Sequence, residues 1–260
     1  MRHRFRGFTL IELAVALVIM SLLLTMMLTP LSARQEARHR LETQRTLEGL
    51  GEALIGFALV YGRLPCPAIS ADNGLEDRAS STGPCNKYSG FVPWVSLGMG
   101  GDDGWGRRIR YAAGSAWTDA AITLALGNPA STDPPGSRRR ITLLTRKADS
   151  ALLQLSNKDD VPAVLVSPGL NGCSATQVDH AGLSTLPECA GADERVNALI
   201  DPLSKGKSDW NLIGPYDQPG RIFIVRDPGS DPTGGYFDDL VSWVSPFVLF
   251  NRMVAAGKLP

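Results

Sequence analysis

The sequence predicts an α+β chain, with one long N-terminal helix packed under an antiparallel β-sheet domain that carries long loops. Three observations support this. Helical character, first almost unbroken apolar and then amphipathic, runs from Phe8 to Tyr61. Beyond Gly62 the chain turns to short segments rich in β-branched and aromatic residues, separated by clusters of glycine and proline. No strand–helix–strand alternation is visible, so a parallel sheet is not expected.

The first seven residues, MRHRFRG, form a short basic leader with Arg2, Arg4 and Arg6. From Phe8 to Leu31 the only charged side chain is Glu12. About twenty apolar residues in a helix rise about 30 Å, enough to cross the hydrocarbon core of a membrane. The arginines ahead of the run keep that end cytoplasmic and send the rest of the chain outside. A cleavable secretory signal has a shorter apolar region, of about 7–15 residues. An uncleaved signal anchor fits the length, but gains nothing from a carboxylate near the start of its apolar run. Ionisable groups in a membrane segment are costly and usually functional. A cut between Gly7 and Phe8 creates an α-amine beside Glu12. The Glu12 carboxylate of one subunit then has a partner in the amine of its neighbour, which sets the register of side-by-side assembly.

The run Arg6-Gly7-Phe8-Thr9-Leu10-Ile11-Glu12-Leu13 resembles the processing and methylation signature of type IV pilins and type II secretion pseudopilins. The resemblance implies a pilin-like fold and cleavage by a prepilin peptidase after Gly7. It implies methylation of Phe8 as the new N-terminus, and an assembly role for Glu12. It makes Pro30 the helix-kinking proline near the end of the apolar run. It further implies a bacterial inner-membrane protein, single-pass, with its C-terminal domain in the periplasm, that passes into a pilus or pseudopilus filament. Partners would be other pilin or pseudopilin subunits and the inner-membrane assembly platform.

Four segments follow from this reading: a leader at 1–7, a transmembrane and assembly helix at 8–31, an amphipathic extension at 32–62, and an extracytoplasmic β-rich domain at 63–260. In the extension, Ala37, Leu41, Leu47, Leu50, Leu54, Phe57 and Tyr61 recur at helical steps, with Arg34, Glu36, Arg38, Arg40, Glu42 and Arg45 on other faces. From Leu54 to Tyr61 the helix is apolar nearly all round, which predicts cover on several sides. Gly62 and Pro65 stop it. A helix from Phe8 to Tyr61 would be about 80 Å long, bent or locally melted near Pro30.

Strands are predicted at 108–112, 121–126, 140–145, 163–167, 221–226 and 240–244. Ser245 and Pro246 predict the N-cap and first residue of a short helix to about Ala256, ended by Gly257. The runs Gly62–Pro67, Pro93–Gly98 and Asp103–Gly106 with Tyr111 are similar to runs in a subset of large prepilin-type proteins. Their physical content is structural, with Trp94, Trp105 and Tyr111 packing at the helix–sheet joint.

The four cysteines, Cys66, Cys85, Cys173 and Cys189, all lie beyond the apolar run. An even count outside the cytoplasm reads as disulfides, and four cysteines allow three pairings. Cys66–Cys85 with Cys173–Cys189 is favoured, since each closes a short local loop. No CxxC pair suggests zinc.

No cofactor is required, though oxygen-rich loops allow calcium. Asp72, Asn73, Glu76 and Asp77 group between two cysteines, without EF-hand spacing. Asp227, Asp231, Asp238 and Asp239 form a second acidic region, where Asp-Pro-Gly reads first as turn chemistry. Catalysis is not expected: His180 is the one histidine of the domain, and no GxSxG or HExxH occurs. A chain starting at Phe8 carries 23 basic and 26 acidic side chains, a net charge of −3. That excludes general nucleic-acid binding. Arg107, Arg108 and Arg110 and Arg138–Arg140 are the basic clusters, with Asp102, Asp103 and Asp133 nearby. The expected function is a structural filament subunit. The alternatives are a signal-anchored extracytoplasmic binding or enzymatic domain, and a DNA-uptake pilin-like subunit.

Overall fold

A computed structural model describes residues 9–81, 83–127, 141–147, 149–155, 161–173, 189, 191–198 and 221–259, the side chains at 24–32, 125, 127 and 221 excepted. Helix α1 spans Leu10–Tyr61, 52 residues, about 78 Å at 1.5 Å per residue. Its backbone is helical through Pro30 without local melting. Gly62 ends it in the left-handed region (φ 73°), and its N–H donates to the Ala58 carbonyl. A side chain at that φ would be strained, which is why glycine stands there.

The central sheet joins β1 (Ser89–Phe91), β2 (Arg110–Ala113), β5 (Ala163–Ser167) and β9 (Leu240–Val244), in that order and all antiparallel. Strand β5 is buried along its whole length, as its continuous apolar run AVLVS suits. Side-chain alternation divides it. Ala163 and Leu165 join Tyr111, Ala113, Val92 and Trp117 in a core beneath Leu47, Leu50, Leu54, Ile55 and Ala58 of α1. Val164 and Val166 face the opposite way, onto Ile141, Leu143 and Phe223. The latter three come from a second sheet of β4 (Leu152–Gln154), β3 (Ile141–Arg146) and β6 (Arg221–Ile224). The fold is therefore three layers: helix, antiparallel sheet, small mixed sheet.

Three short helices, α2 (Trp94–Leu97), α3 (Ser115–Thr118) and α4 (Ala192–Asn197), lie in the connections. A hairpin of β7 (Gly229–Asp231) and β8 (Gly235–Phe237) precedes β9. Helix α5 (Pro246–Ala255) closes the core with Leu249 and Met253.

Several expectations need correction. The segment 121–126 is no strand: the Ile122 N–H donates to the Gly62 carbonyl, and Leu124–Gly127 forms a 3-10 turn. Strands β3 and β6 pair in parallel. Among the described residues the connection between them runs through β4, β5 and α4, a long crossover of the kind a parallel pair needs. Ser245 stands at the start of α5, but its side chain makes no capping bond. On α1 the apolar stripe begins later than its periodicity suggests. Leu41 is 49% exposed and Tyr61 62%, while Thr43 is fully buried.

Candidate functional site

The N-terminal half of α1 carries the motif that sequence alone singles out. Thr9 is its N-cap, and the Thr9 Oγ1 accepts the Glu12 N–H at 3.3 Å. The same hydroxyl lies 3.5 Å from Glu12 Oε2 as donor. The cap thus satisfies one orphan amide and orients the carboxylate in the first turn, where the helix dipole favours negative charge. Glu12 is exposed, as are all described residues from Thr9 to Leu23. Leu10, Ile11, Leu13, Leu17, Val18 and Met20 are each more than half exposed. An exposed apolar patch of that extent on this stretch of helix marks a contact surface. Gly7 and Phe8 lie outside the described residues, as do His180 and Arg138–Arg140. Among the described residues, no helix is long and apolar enough to cross a membrane; the described side chains of the apolar run stop at Leu23.

The domain grips α1 well beyond that surface. The loop Asp103-Gly104-Trp105-Gly106 is folded on Asp103. One carboxylate oxygen accepts the Trp105 and Arg107 N–H groups at 2.9 and 3.0 Å, and the other accepts the Ser167 hydroxyl at 2.6 Å. Gly104 donates to Thr43 Oγ1 of α1 at 2.9 Å, and Trp105 tilts against His39. Trp94 and Tyr111 are in the core as predicted, with Arg108 stacked 4.0 Å over the Trp94 ring. The Tyr111 hydroxyl donates to the Pro65 carbonyl at 3.1 Å. Arg107 donates to the Gly169 and Leu170 carbonyls, and Arg110 to that of Cys173. These guanidinium groups tie turns to the sheet.

Both favoured disulfides, Cys66–Cys85 and Cys173–Cys189, are present. Within the first loop, the Glu76 carboxylate accepts from Arg63 at 2.9 and 3.0 Å and from the Cys66 N–H at 3.1 Å. Asn73 Oδ1 accepts the Leu75 N–H, and Asp77 accepts from the Asn86 amide. These oxygens accept from the loop's own frame, and among the described residues Asp72, Glu76 and Asp77 do not form a cluster of converging acids.

The second acidic region divides. Asp231 caps the β7–β8 turn, accepting the Thr233 and Gly234 N–H groups and the Ser150 hydroxyl. Asp238 and Asp239 are instead buried beside Glu194 of α4, a residue that sequence reasoning missed. The one local signal was its place three residues after Gly191, whose N–H it accepts at 3.4 Å. Next to it, Asp193 accepts Arg146 through both oxygens, at 2.6 and 2.7 Å, and Arg226 at 2.9 Å. Burial raises Glu194 and Asp238 from their ordinary values and pushes Asp239 up to about 8 despite Arg110.

Residues 2–28 match the family model for the prokaryotic N-terminal methylation motif. That motif is the type IV pilin and pseudopilin signature. It implies a prepilin peptidase substrate that assembles with pilin-type subunits, and it fits a membrane-anchored precursor. No curated protein and no solved structure matches this chain.

Proposed function

We propose that the chain is a structural subunit of a type IV pilus or type II secretion pseudopilus. A prepilin peptidase cuts it after Gly7 and methylates Phe8. The run Phe8–Leu31 holds it in the inner membrane, with the three-layer domain in the periplasm, until it joins the filament. The observation that carries this reading is the coincidence of the motif at residues 2–28 with a helix whose described side chains from Thr9 to Leu23, most of them apolar, are all exposed. Two disulfides in the domain suit an oxidising compartment. Helix packing then joins subunits, and Glu12 pairs with the amine of a neighbouring Phe8 to set register.

Intact mass and N-terminal sequencing of the membrane-derived protein test the processing step. The expected chain begins at N-methylated Phe8. A chain that begins at Met1 would mean a plain signal anchor. Glu12→Ala tests assembly: the variant should enter the membrane and be cleaved, yet be depleted at least about tenfold from sheared filaments, as loss of about 1.4 kcal/mol or more of pairing energy requires. Filaments containing normal amounts of Glu12→Ala would remove that role from Glu12.

A further inference from the structure

We propose that Arg34 and Arg38 dock on the headgroup phosphates of anionic phospholipids, in the leaflet from which α1 emerges. The proposal deepens the reading above and rests on it, since it takes Phe8–Leu31 as the membrane segment. Helix α1 continues unbroken past Leu31. At 1.5 Å per residue, Arg34 lies about 4.5 Å beyond Leu31, Arg38 about 10 Å and Arg45 about 21 Å. The headgroup layer is about 5–8 Å deep on each side of the hydrocarbon core. Arg34 thus lies within that layer and Arg38 just above it. Arg45 stands more than a Debye length, about 8 Å at physiological salt, beyond its edge.

The chain gives these two arginines no partner of its own. Both are exposed. Among the described residues neither makes an ion pair, not even with Glu42 one turn beyond Arg38, whereas Arg40 is held by Glu36 at 2.9 Å. Positions 34 and 38 stand one turn apart on one face. The Cα–Cβ bonds of an α-helix tilt toward its N-terminus, which carries both guanidinium groups back toward the apolar run. A guanidinium is a planar fork of donors that matches phosphate oxygens and holds its charge at any physiological pH. The exposed acids of the helix, Glu42, Glu48 and Glu52, come later, on the side away from the membrane. The domain meets α1 just above this level. Trp105 tilts against His39, and Tyr236, 37% exposed, stands near Glu36 and Arg40. Tryptophan and tyrosine are the side chains that settle at a membrane interface. The membrane-facing end of the domain thus sets two unpartnered cations beneath two amphipathic rings, a surface complementary in charge to anionic headgroups. The contact adds to the apolar anchor and fixes the height of the domain above the membrane before the subunit enters a filament.

The test uses the full chain in a neutral detergent, titrated with phosphatidylglycerol or, in parallel, phosphatidylcholine, with bound lipid counted by native mass spectrometry. Phosphatidylglycerol should bind more tightly, and added salt should weaken it. An arginine near an anionic surface is worth about fivefold in affinity. The double variant Arg34→Gln/Arg38→Gln should therefore bind phosphatidylglycerol about tenfold or more weakly, with phosphatidylcholine binding unchanged. Arg45→Gln should bind as wild type does. All three positions are exposed, so the variants should melt with the wild-type chain. Equal affinity for the two lipids, or an undiminished preference in the double variant, would overturn the proposal. So would a salt-sensitive dimer that forms without phosphatidylglycerol and is lost in the double variant, which would assign the arginines to Glu48 and Glu52 of a second copy. Flotation with phosphatidylcholine vesicles separates the proposal from the reading it rests on. A chain that floats but shows no headgroup preference defeats the proposal alone, and a chain that does not float defeats both.

Discussion

At the scale of the residue, the domain is held by carboxylates that each satisfy several donors. Glu76 is the clearest case. Burial pushes its carboxyl up, but Arg63, the Cys66 N–H and Arg78 together bring it below its ordinary value of 4.5. The folded state thus prefers the ionised form. That contribution is fully present above about pH 4.5, the unfolded value, and is lost as pH falls through the lowered folded value. Glu76→Gln keeps the shape but removes the charge. It should cost about 1–3 kcal/mol at neutral pH, because Arg63 loses its ionic partner in a partly buried site. It should also flatten the acid limb of stability. Urea melts of wild type and variant from neutral pH to about pH 3 check this. An acid limb of equal slope in both would show that other carboxylates set it. Nothing in the sequence foretold this role. Asp72, Asn73, Glu76 and Asp77 look like a ligand cluster when read along the chain, because spacing counts oxygens but cannot show that Arg63 lies against Glu76. The same blindness hid Glu194, whose partners stand 23 and 44 residues away in the chain.

At the scale of the element, legibility followed the range of the interactions. The helix Leu10–Tyr61, the strand Ala163–Ser167 and the strand Leu240–Val244 were readable because periodicity, an unbroken apolar run and local stop signals decide them. Strands β4, β7 and β8 were not. They are three residues each, too short for alternation to register, and only pairing across the fold defines them. The segment 121–126 has strand-like composition, yet Gly62 claims its amide. The joint between loop 103–106 and α1 belongs to this scale. Gly104 lies against the helix backbone: a Cβ there would fall on the His39 carbonyl oxygen and 2.9 Å from His39 Cα. Neither atom can turn aside as a side chain can. Gly104→Ala should push the loop from the helix, break the bond from Gly104 to Thr43, and cost about 1–3 kcal/mol. A lowered denaturation midpoint with an unchanged urea slope is the expected result. A variant as stable as wild type would mean that α1 and the loop separate freely.

At the scale of the whole molecule, one helix serves two different environments. From Leu47 to Ala58 its apolar side chains enter the core shared with β2, β5, β9 and α5. From Thr9 to Leu23 every described side chain is exposed, so that stretch adds nothing to the domain through side-chain burial. In a lipid environment it would have no hydrophobic drive toward a neighbour either, since lipid tails are as apolar as leucine. Association there rests on close packing and on polar pairs, and Glu12 is the one carboxylate that stretch offers for such a pair. The division predicts that the two halves separate energetically. A chain shortened to begin at Ala33 keeps Thr43, the loop 103–106, all three layers and both disulfides. Its thermal unfolding, followed in the same detergent buffer, should match that of the full chain, while its membrane association and incorporation into filaments should be lost. A shortened chain that melts earlier would mean that the exposed half supports the fold, and its apolar surface would then need an intramolecular explanation rather than a partner.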